Sequence, residues 1–325
     1  MHCTAFQTAL QDFLRSSPLR TEDPAEANLF FHPGCLLDLF FRARVWTHAN
    51  LTHFFAGVED AVLKEIDSLG YAHKPHIVNG LRCAPRAPYP HLEARQSNLL
   101  WRLWDTKRFR NFCLEATYPV DRARSIQMPY CLASAQWPQQ PYQSDRGTRV
   151  LFIGTPLPNR RETLRALNNT PGGRLVILKN RRETGSLMQE QIIEQMRNAT
   201  YTLCPPGDTP ESRRVYHALA AGSIPLLDPG FQPPPVVNWS AISAPIAIQV
   251  HRLRSVHRLR GRRRKKATIR LPKNELDLQR EAWKHARAFE CSASNPYFAQ
   301  YVKSSLAHLI RCAEDEAAGV RCSEG

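Results

Sequence analysis

Residues 199–228 read ATYTLCPPGDTPESRRVYHALAAGSIPLLD. Tyr201–Cys204 is a short apolar run and Ile224–Leu227 is another, and both fit buried strands. Between them, Glu211–Ala221 has the spacing of a helix. Strand, helix and strand in that order make a βαβ unit, whose strands lie parallel in one sheet. Such sheets take ligands beyond the carboxyl ends of their strands. The loop that matters therefore follows Cys204 and runs Pro205-Pro206-Gly207-Asp208-Thr209-Pro210-Glu211-Ser212-Arg213-Arg214. Gly207 permits a tight turn, and Asp208 or Thr209 is the expected helix cap, with Pro210 in the first turn. A helix starting there aims N–H groups past the strand end, and Ser212, Arg213 and Arg214 add a hydroxyl and two guanidinium forks. That chemistry suits an anion, a diphosphate above all. The same residues would also serve as an ordinary capped helix with surface arginines.

The preceding segments extend the alternation. Arg149–Gly154 (RVLFIG) and Arg174–Lys179 (RLVILK) read as strands, and Arg160–Asn168 and Leu187–Ala199 as helices. The amino-terminal half is less regular. Phe6, Leu10 and Leu14 place a helix at the start, Asn28–His32 is a short strand, Leu51–Gly70 a helix, and Ser125–Tyr130 a strand stopped by proline. Trp137–Ser144 (WPQQPYQS) is the linker candidate. A chain of 325 residues suits two domains. The expected division is 1–145 and 146–325, the second carrying a basic insertion at 251–273 and the carboxyl-terminal helices. A crossing of those helices, Glu275–Phe289 and Tyr297–Cys312, back to the first domain stays open.

The 199–228 segment resembles the donor-binding signature of exostosin-type glycosyltransferases, plant and algal members especially. Cys204, Pro205, Gly207, Asp208, Thr209, Pro210, Ser212, Arg214, Tyr216, Ala218, Gly222, Ile224 and Pro225 fit it in register. Upstream, Arg149–Gly154 with Arg160 and Arg161 is similar to the family's strand and basic turn, and Ser125–Tyr130 to its short I-P-Y strand. Downstream, Asn238–Ile248 is similar to the strand after the donor loop. The ribitol xylosyltransferases, whose related segment ends in G-S-I-P-V, are the nearest rival. The likeness is dense over the donor region and thin near the amino terminus.

The resemblance implies an α/β protein of the GT-B type, with two Rossmann-like domains built on parallel sheets. It implies an inverting, metal-independent glycosyltransferase that moves a sugar from a nucleoside-diphosphate sugar, a UDP-sugar, to a glycan or glycoprotein acceptor. Golgi lumen, protein glycosylation and cell-wall polysaccharide synthesis belong to the same implication. No Asp-x-Asp motif occurs in the chain, in agreement with a metal-independent reaction. No cofactor is expected beyond the nucleotide-sugar co-substrate. The donor residues carried over are Gly154, Arg161, Gly207, Asp208, Thr209, Ser212, Arg214 and His217. Without a metal, the departing diphosphate must be met by arginines and a helix N-terminus.

His217 departs from the family, which has an acidic residue there to accept hydrogen bonds from the ribose. A neutral imidazole accepts only one. The departure leaves room for a second class of function, a weakened pseudoenzyme acting as a sugar- or nucleotide-binding module. An inverting transferase also needs a base for the acceptor hydroxyl. His32 is the candidate, since it follows the strand NLFF and precedes a Pro-Gly turn. His53, Glu65, Glu93 and Asp105 compete with it. Trp101 and Trp104 could stack on a sugar, but their spacing equally suits a helix core.

The net charge of +15 is a local matter. Eleven Lys/Arg and no acid lie between Arg252 and Lys273, and without them the balance is +4. A block of like charge repels itself and reads as a solvated insertion, open to a polyanion contact. With no aromatic interleaved for base stacking, nucleic acid is not the expected partner. No apolar run is long enough to span a membrane, and the first residues do not form a secretory signal. The nine cysteines show no CxxC pair and no Cys/His zinc spacing, and their odd number leaves one thiol over. Four N-x-S/T sites, at Asn50, Asn168, Asn198 and Asn238, tilt slightly toward the secretory pathway.

Overall fold

The structure is a computed structural model that describes residues 3–35, 57, 60–61, 63–82, 109–115, 121–130, 146–178, 186–206, 212–231, 233–234, 236–252, 265–292 and 294–322. The linker candidate, Gly207–Glu211, Trp101, Trp104, His53, Glu93, Asp105 and the centre of the basic block lie outside those residues. The chain divides into two compact units. One comprises Met1–Cys131 with Cys291–Gly325, and the other Leu132–Glu290.

The first unit holds a four-stranded parallel sheet in sequential order: β1 (Phe30–Cys35), β2 (His76–Arg82), β3 (Phe109–Glu115) and β4 (Ser125–Gln127). Helix α1 (Cys3–Ser16) buries Ala9, Leu10 and Phe13 in a core with Ile77, Phe112, Ile126 and Met128. Strand β1 runs on through Pro33 and Gly34, so His32 is its third residue of six and does not end it. The helix expected over Leu51–Gly70 is helical across residues 63–68, with Ile66 fully buried.

The long last helix belongs here as well, and this corrects its assignment to the second domain. Pro296–Ala317 buries Phe298, Val302, Leu306 and Leu309 in the first unit's core. Its end is tied down by Glu316, which accepts from buried Arg110 at 2.7 Å. The apolar residues of this helix share a core with β2 and β3, two strands that do not stand out in the sequence.

The second unit holds five parallel strands in the order β6-β5-β7-β8-β9: β5 (Thr148–Gly154), β6 (Gly173–Ile177), β7 (Ala199–Cys204), β8 (Ile224–Leu227) and β9 (Ala244–Pro245). All six residues of β7 and all four of β8 are buried, as expected of strands covered on both faces. The connecting helices are α2 (Arg161–Asn168), α3 (Ser186–Arg197) and α4 (Arg213–Ala220). From β5 the chain steps outward to β6, then returns past β5 to β7 and continues the other way. The reversal sits between β5 and β7, where an open α/β sheet has its ligand crevice.

The basic region is not wholly a solvated insertion. Ala247–Arg252 (β10) and Lys265–Arg270 (β11) form an antiparallel pair in register from Ala247↔Arg270 to Arg252↔Lys265. Ile269 is buried in the unit's core, and its N–H donates to Thr170 Oγ1 at 2.8 Å. Period-two alternation is hidden there by the run of arginines around it. Helix α5 (Glu275–His285) closes the unit, and α6 denotes Pro296–Ala317 of the first. Together the units give the α/β class with two parallel sheets.

Candidate functional site

At the carboxyl end of β5, Gly154 adopts φ +153°, and a Cβ there would collide with Arg214 Nη2. The absence of a side chain lets the Arg214 guanidinium lie against the strand end. Arg214 Nε donates to the Ile153 carbonyl at 2.8 Å, and Nη1 reaches Ser212 Oγ at 3.5 Å. Its Cζ stands 4.9 Å from the centre of the Phe152 ring, a cation–π distance. Burial of the head lowers its pKa, with the Cys204 thiol acting weakly the other way, and an arginine so placed remains charged at neutral pH.

Arg160 faces the same ring at 5.8 Å. It is buried, with Nε donating to Pro206 O at 2.8 Å and Nη1 to Thr155 O at 2.7 Å. One side chain thus ties the loop after β5 to the loop after β7. Two guanidinium groups therefore gather at the strand ends where the sheet reverses.

Ser212, and not Asp208 or Thr209, is the residue that caps α4. Its Oγ accepts from Arg214 N at 3.4 Å, so the helix begins at Arg213, two residues later than expected. Position two of the helix then belongs to Arg214, which keeps its head on the β5 side. Cys204 ends β7 beneath this site. It is free and buried, and burial pushes its thiol up to about 12 although Arg214 pulls the other way.

The remaining candidates are distributed as follows. Arg161 is exposed on the first turn of α2, while Arg160, one residue earlier, is the arginine at the strand ends. Both follow the strand in the same basic turn, and the resemblance carries over Arg161 rather than Arg160. Gly207, Asp208 and Thr209 lie outside the described residues. His217 is buried in α4 at 7% exposure, in a helix whose residues Val215–Ala220 are all buried.

His32 lies in the other unit. Its Nε2 is 3.0 Å from His76 Nδ1, and His76 Nε2 is 3.3 Å from the Tyr71 carbonyl. A carbonyl can only accept, so His76 carries its proton on Nε2, and its Nδ1 accepts from His32 Nε2–H. The basic lone pair of His32 is then on Nδ1. The pair sits at the first residue of β2 and the third of β1, towards the amino ends of the strands. Burial lowers the His32 pKa, and Glu65 opposes this.

Residues 1–261 match the Exostosin GT47 domain. The chain belongs to this family. It is accordingly a glycosyltransferase, and the match reaches the amino terminus, where motif reading was thin. The fold was also compared with solved structures. HepE from Anabaena, in complex with UDP, matches at 10% identity with a TM-score of 0.38, covering 96% of this chain and 95% of that one. So loose a likeness places no residue of this chain against the nucleotide. No similar protein was found among curated ones. No helix among the described residues is long and apolar enough to cross a membrane.

Proposed function

We propose that this exostosin-family enzyme binds a UDP-sugar at the carboxyl ends of β5 and β7 and transfers the sugar, with inversion and without a metal, to a glycan or glycoprotein acceptor. The observation that carries the reading is the pair Arg160 and Arg214, fixed to backbone carbonyls at the sheet's point of reversal. In this reading Arg214 meets the diphosphate together with Ser212 and with Gly207, Asp208 and Thr209, which the resemblance carries over. Arg160 holds the two loops in place and adds positive potential. Leaving-group charge is then stabilised by donors already oriented before the reaction, which costs no reorganisation during it. Arg161 is set aside as a diphosphate ligand because it points its charge into solvent on α2.

The acceptor's proton requires a base in the first unit. His32, the candidate from sequence, sits with His76 towards the amino ends of its strands, away from the ends where such sheets take ligands, so it is not assigned that role. A luminal, Golgi setting accords with the family and with the disulfide-bonded state of Cys113, Cys291, Cys312 and Cys322. Polyanionic acceptors would be drawn to the basic block between β10 and β11.

Thermal shift with UDP tests the donor site, because a ligand that binds only the folded state raises its melting point. UDP should raise Tm in the wild type and in Arg213→Ala, and leave Arg214→Ala unmoved. Equal shifts in both variants would remove the assignment. Release of free sugar from UDP-sugars by the purified chain then identifies the donor.

A further inference from the structure

We propose that His308, Cys312 and Cys322 form a redox-gated site for a Zn(II) ion at the carboxyl-terminal end of α6. The inference stands apart from the donor site. The sequence has no CxxC spacing here, yet the fold assembles the ligands. His308 and Cys312 are four residues apart on one helix face, and the chain turns at Gly319 (φ +74°) to return Cys322 to them. One ligand atom from each residue lies within 4.8 Å of the others.

In the structure Cys312 and Cys322 are joined as a disulfide. A dithiol or phosphine reductant cleaves that bond and leaves two thiols. Zn(II) then displaces their two protons, and the dication is balanced by two thiolates and completed by a neutral imidazole. Water takes the fourth position. Oxidised or metal-loaded, the tail is held to α6. Reduced and metal-free, it is released.

The orientation of His308 is the second observation. Its Nε2 lies 3.1 Å from the Arg122 carbonyl, so Nε2 carries the proton and donates. Nδ1 is then the lone pair, 4.0 Å from Cys312 Sγ, while Nε2 is 3.5 Å from the same sulfur, so the thiolate must slide along the ring edge towards Nδ1 to share an ion with it. Zinc-bound histidines are held in this manner, with the distal N–H on a carbonyl and the other nitrogen on the metal. Zn–S and Zn–N bonds of about 2.3 and 2.0 Å place sulfur and nitrogen roughly 3.5 Å apart in a tetrahedral site, a small adjustment from what is seen. The group now facing Nδ1 is Arg311 Nη2 at 3.1 Å. Arg311 is exposed and can swing away, but it competes with the ion by hydrogen bond and by charge.

Cys322 is half-buried whereas Cys113 is completely buried, so mild reduction reaches the Cys312–Cys322 bond before the Cys113 one. The test uses Co(II), whose thiolate charge-transfer band reports cysteine ligation, followed by displacement with Zn(II). Protein reduced with a phosphine and desalted anaerobically should bind one Co(II) with that band, and oxidised protein should show none. Cys322→Ser should lose the band while keeping the thermal transition of the reduced, metal-free wild type. Arg311→Gln, an exposed change that leaves the fold intact, should tighten binding several-fold. The proposal is overturned by a reduced wild type without the band, by a band that survives in Cys322→Ser, or by unchanged affinity in Arg311→Gln.

Discussion

The Arg214 head lies against the α-carbon of Gly154, sixty residues earlier, where any side chain would displace it. The pairing explains why a glycine ends β5 and an arginine stands at the second position of α4. It also makes Gly154→Ala a remote way of removing Arg214 from the site. Overpacking and an unfavourable backbone angle should cost about 1–3 kcal/mol in urea unfolding. UDP affinity should fall nearly as far as in Arg214→Ala. Retained UDP binding in a folded Gly154→Ala protein would break the link.

Arg160 and Arg161 are neighbours with opposite expected behaviour. Arg160→Ala leaves the Pro206 and Thr155 carbonyls without the donor that joins them, so a loss of about 1–3 kcal/mol is expected. Arg161→Ala changes an exposed residue and should stay within about 0.5 kcal/mol. Thermal denaturation of both variants, with and without UDP, reads stability and binding together.

Cys204 should behave as an inert thiol. A pKa pushed up to about 12 leaves almost no thiolate at pH 8, and the side chain is buried. Iodoacetamide followed by mass spectrometry should leave Cys204 unlabelled in native protein and labelled after unfolding. Rapid native labelling would place the thiol in an open crevice.

The first unit should be acid-sensitive through His32. Burial depresses its folded pKa below the ordinary 6.5, so the unfolded chain takes up a proton first as pH falls. Its contribution to stability is complete above about 6.5 and lost as pH drops through the folded value. His76 and Tyr71 face the pair, and Glu65 partly offsets the shift. Denaturant unfolding at pH 7.5 and 5.5 should show a larger loss in wild type than in His32→Gln. Equal losses would mean that His32 titrates as it does in water.

The donor unit was legible because strands buried on both faces read as continuous apolar runs: RVLFIG, TLC and IPLL each announce a strand. In the first unit α1, β1 and β4 were read, but β2 and β3 were not, because they carry polar residues satisfied from far away. Arg110 in β3 is buried, and Glu316, 206 residues later, receives it. His76 in β2 is buried against Phe30 and His32. No local pattern contains those partners. The cap of α4 was misplaced for a different reason: Asp208, Thr209 and Ser212 are all good caps, and only the geometry chooses among them. The placement of α6 depended on tertiary packing in the same way, since its amphipathic face does not say which core it covers. Family resemblance pointed to Arg214 and Ser212, while the choice of Arg160 over Arg161 needed side-chain positions.

His217 offers the sharpest test of the carried-over ribose contact. It is buried at 7% exposure, so a carboxylate placed there is desolvated in the empty protein and should lower its stability. When the nucleotide is bound, ribose hydroxyls facing that carboxylate would satisfy it. A hydrogen bond to a charged acceptor contributes about 1.5–3 kcal/mol against about 0.5–1.5 for a neutral one. The difference of roughly 1 kcal/mol is about fivefold in Kd. His217→Glu should therefore melt lower than wild type without ligand yet bind UDP about fivefold tighter in calorimetry, with His217→Asp intermediate if its shorter arm falls short of the ribose. The two signs oppose each other, which separates a ribose contact from a general loosening of α4. Destabilisation without any gain in affinity would place the imidazole in the packing of the helix and withdraw it from the donor site.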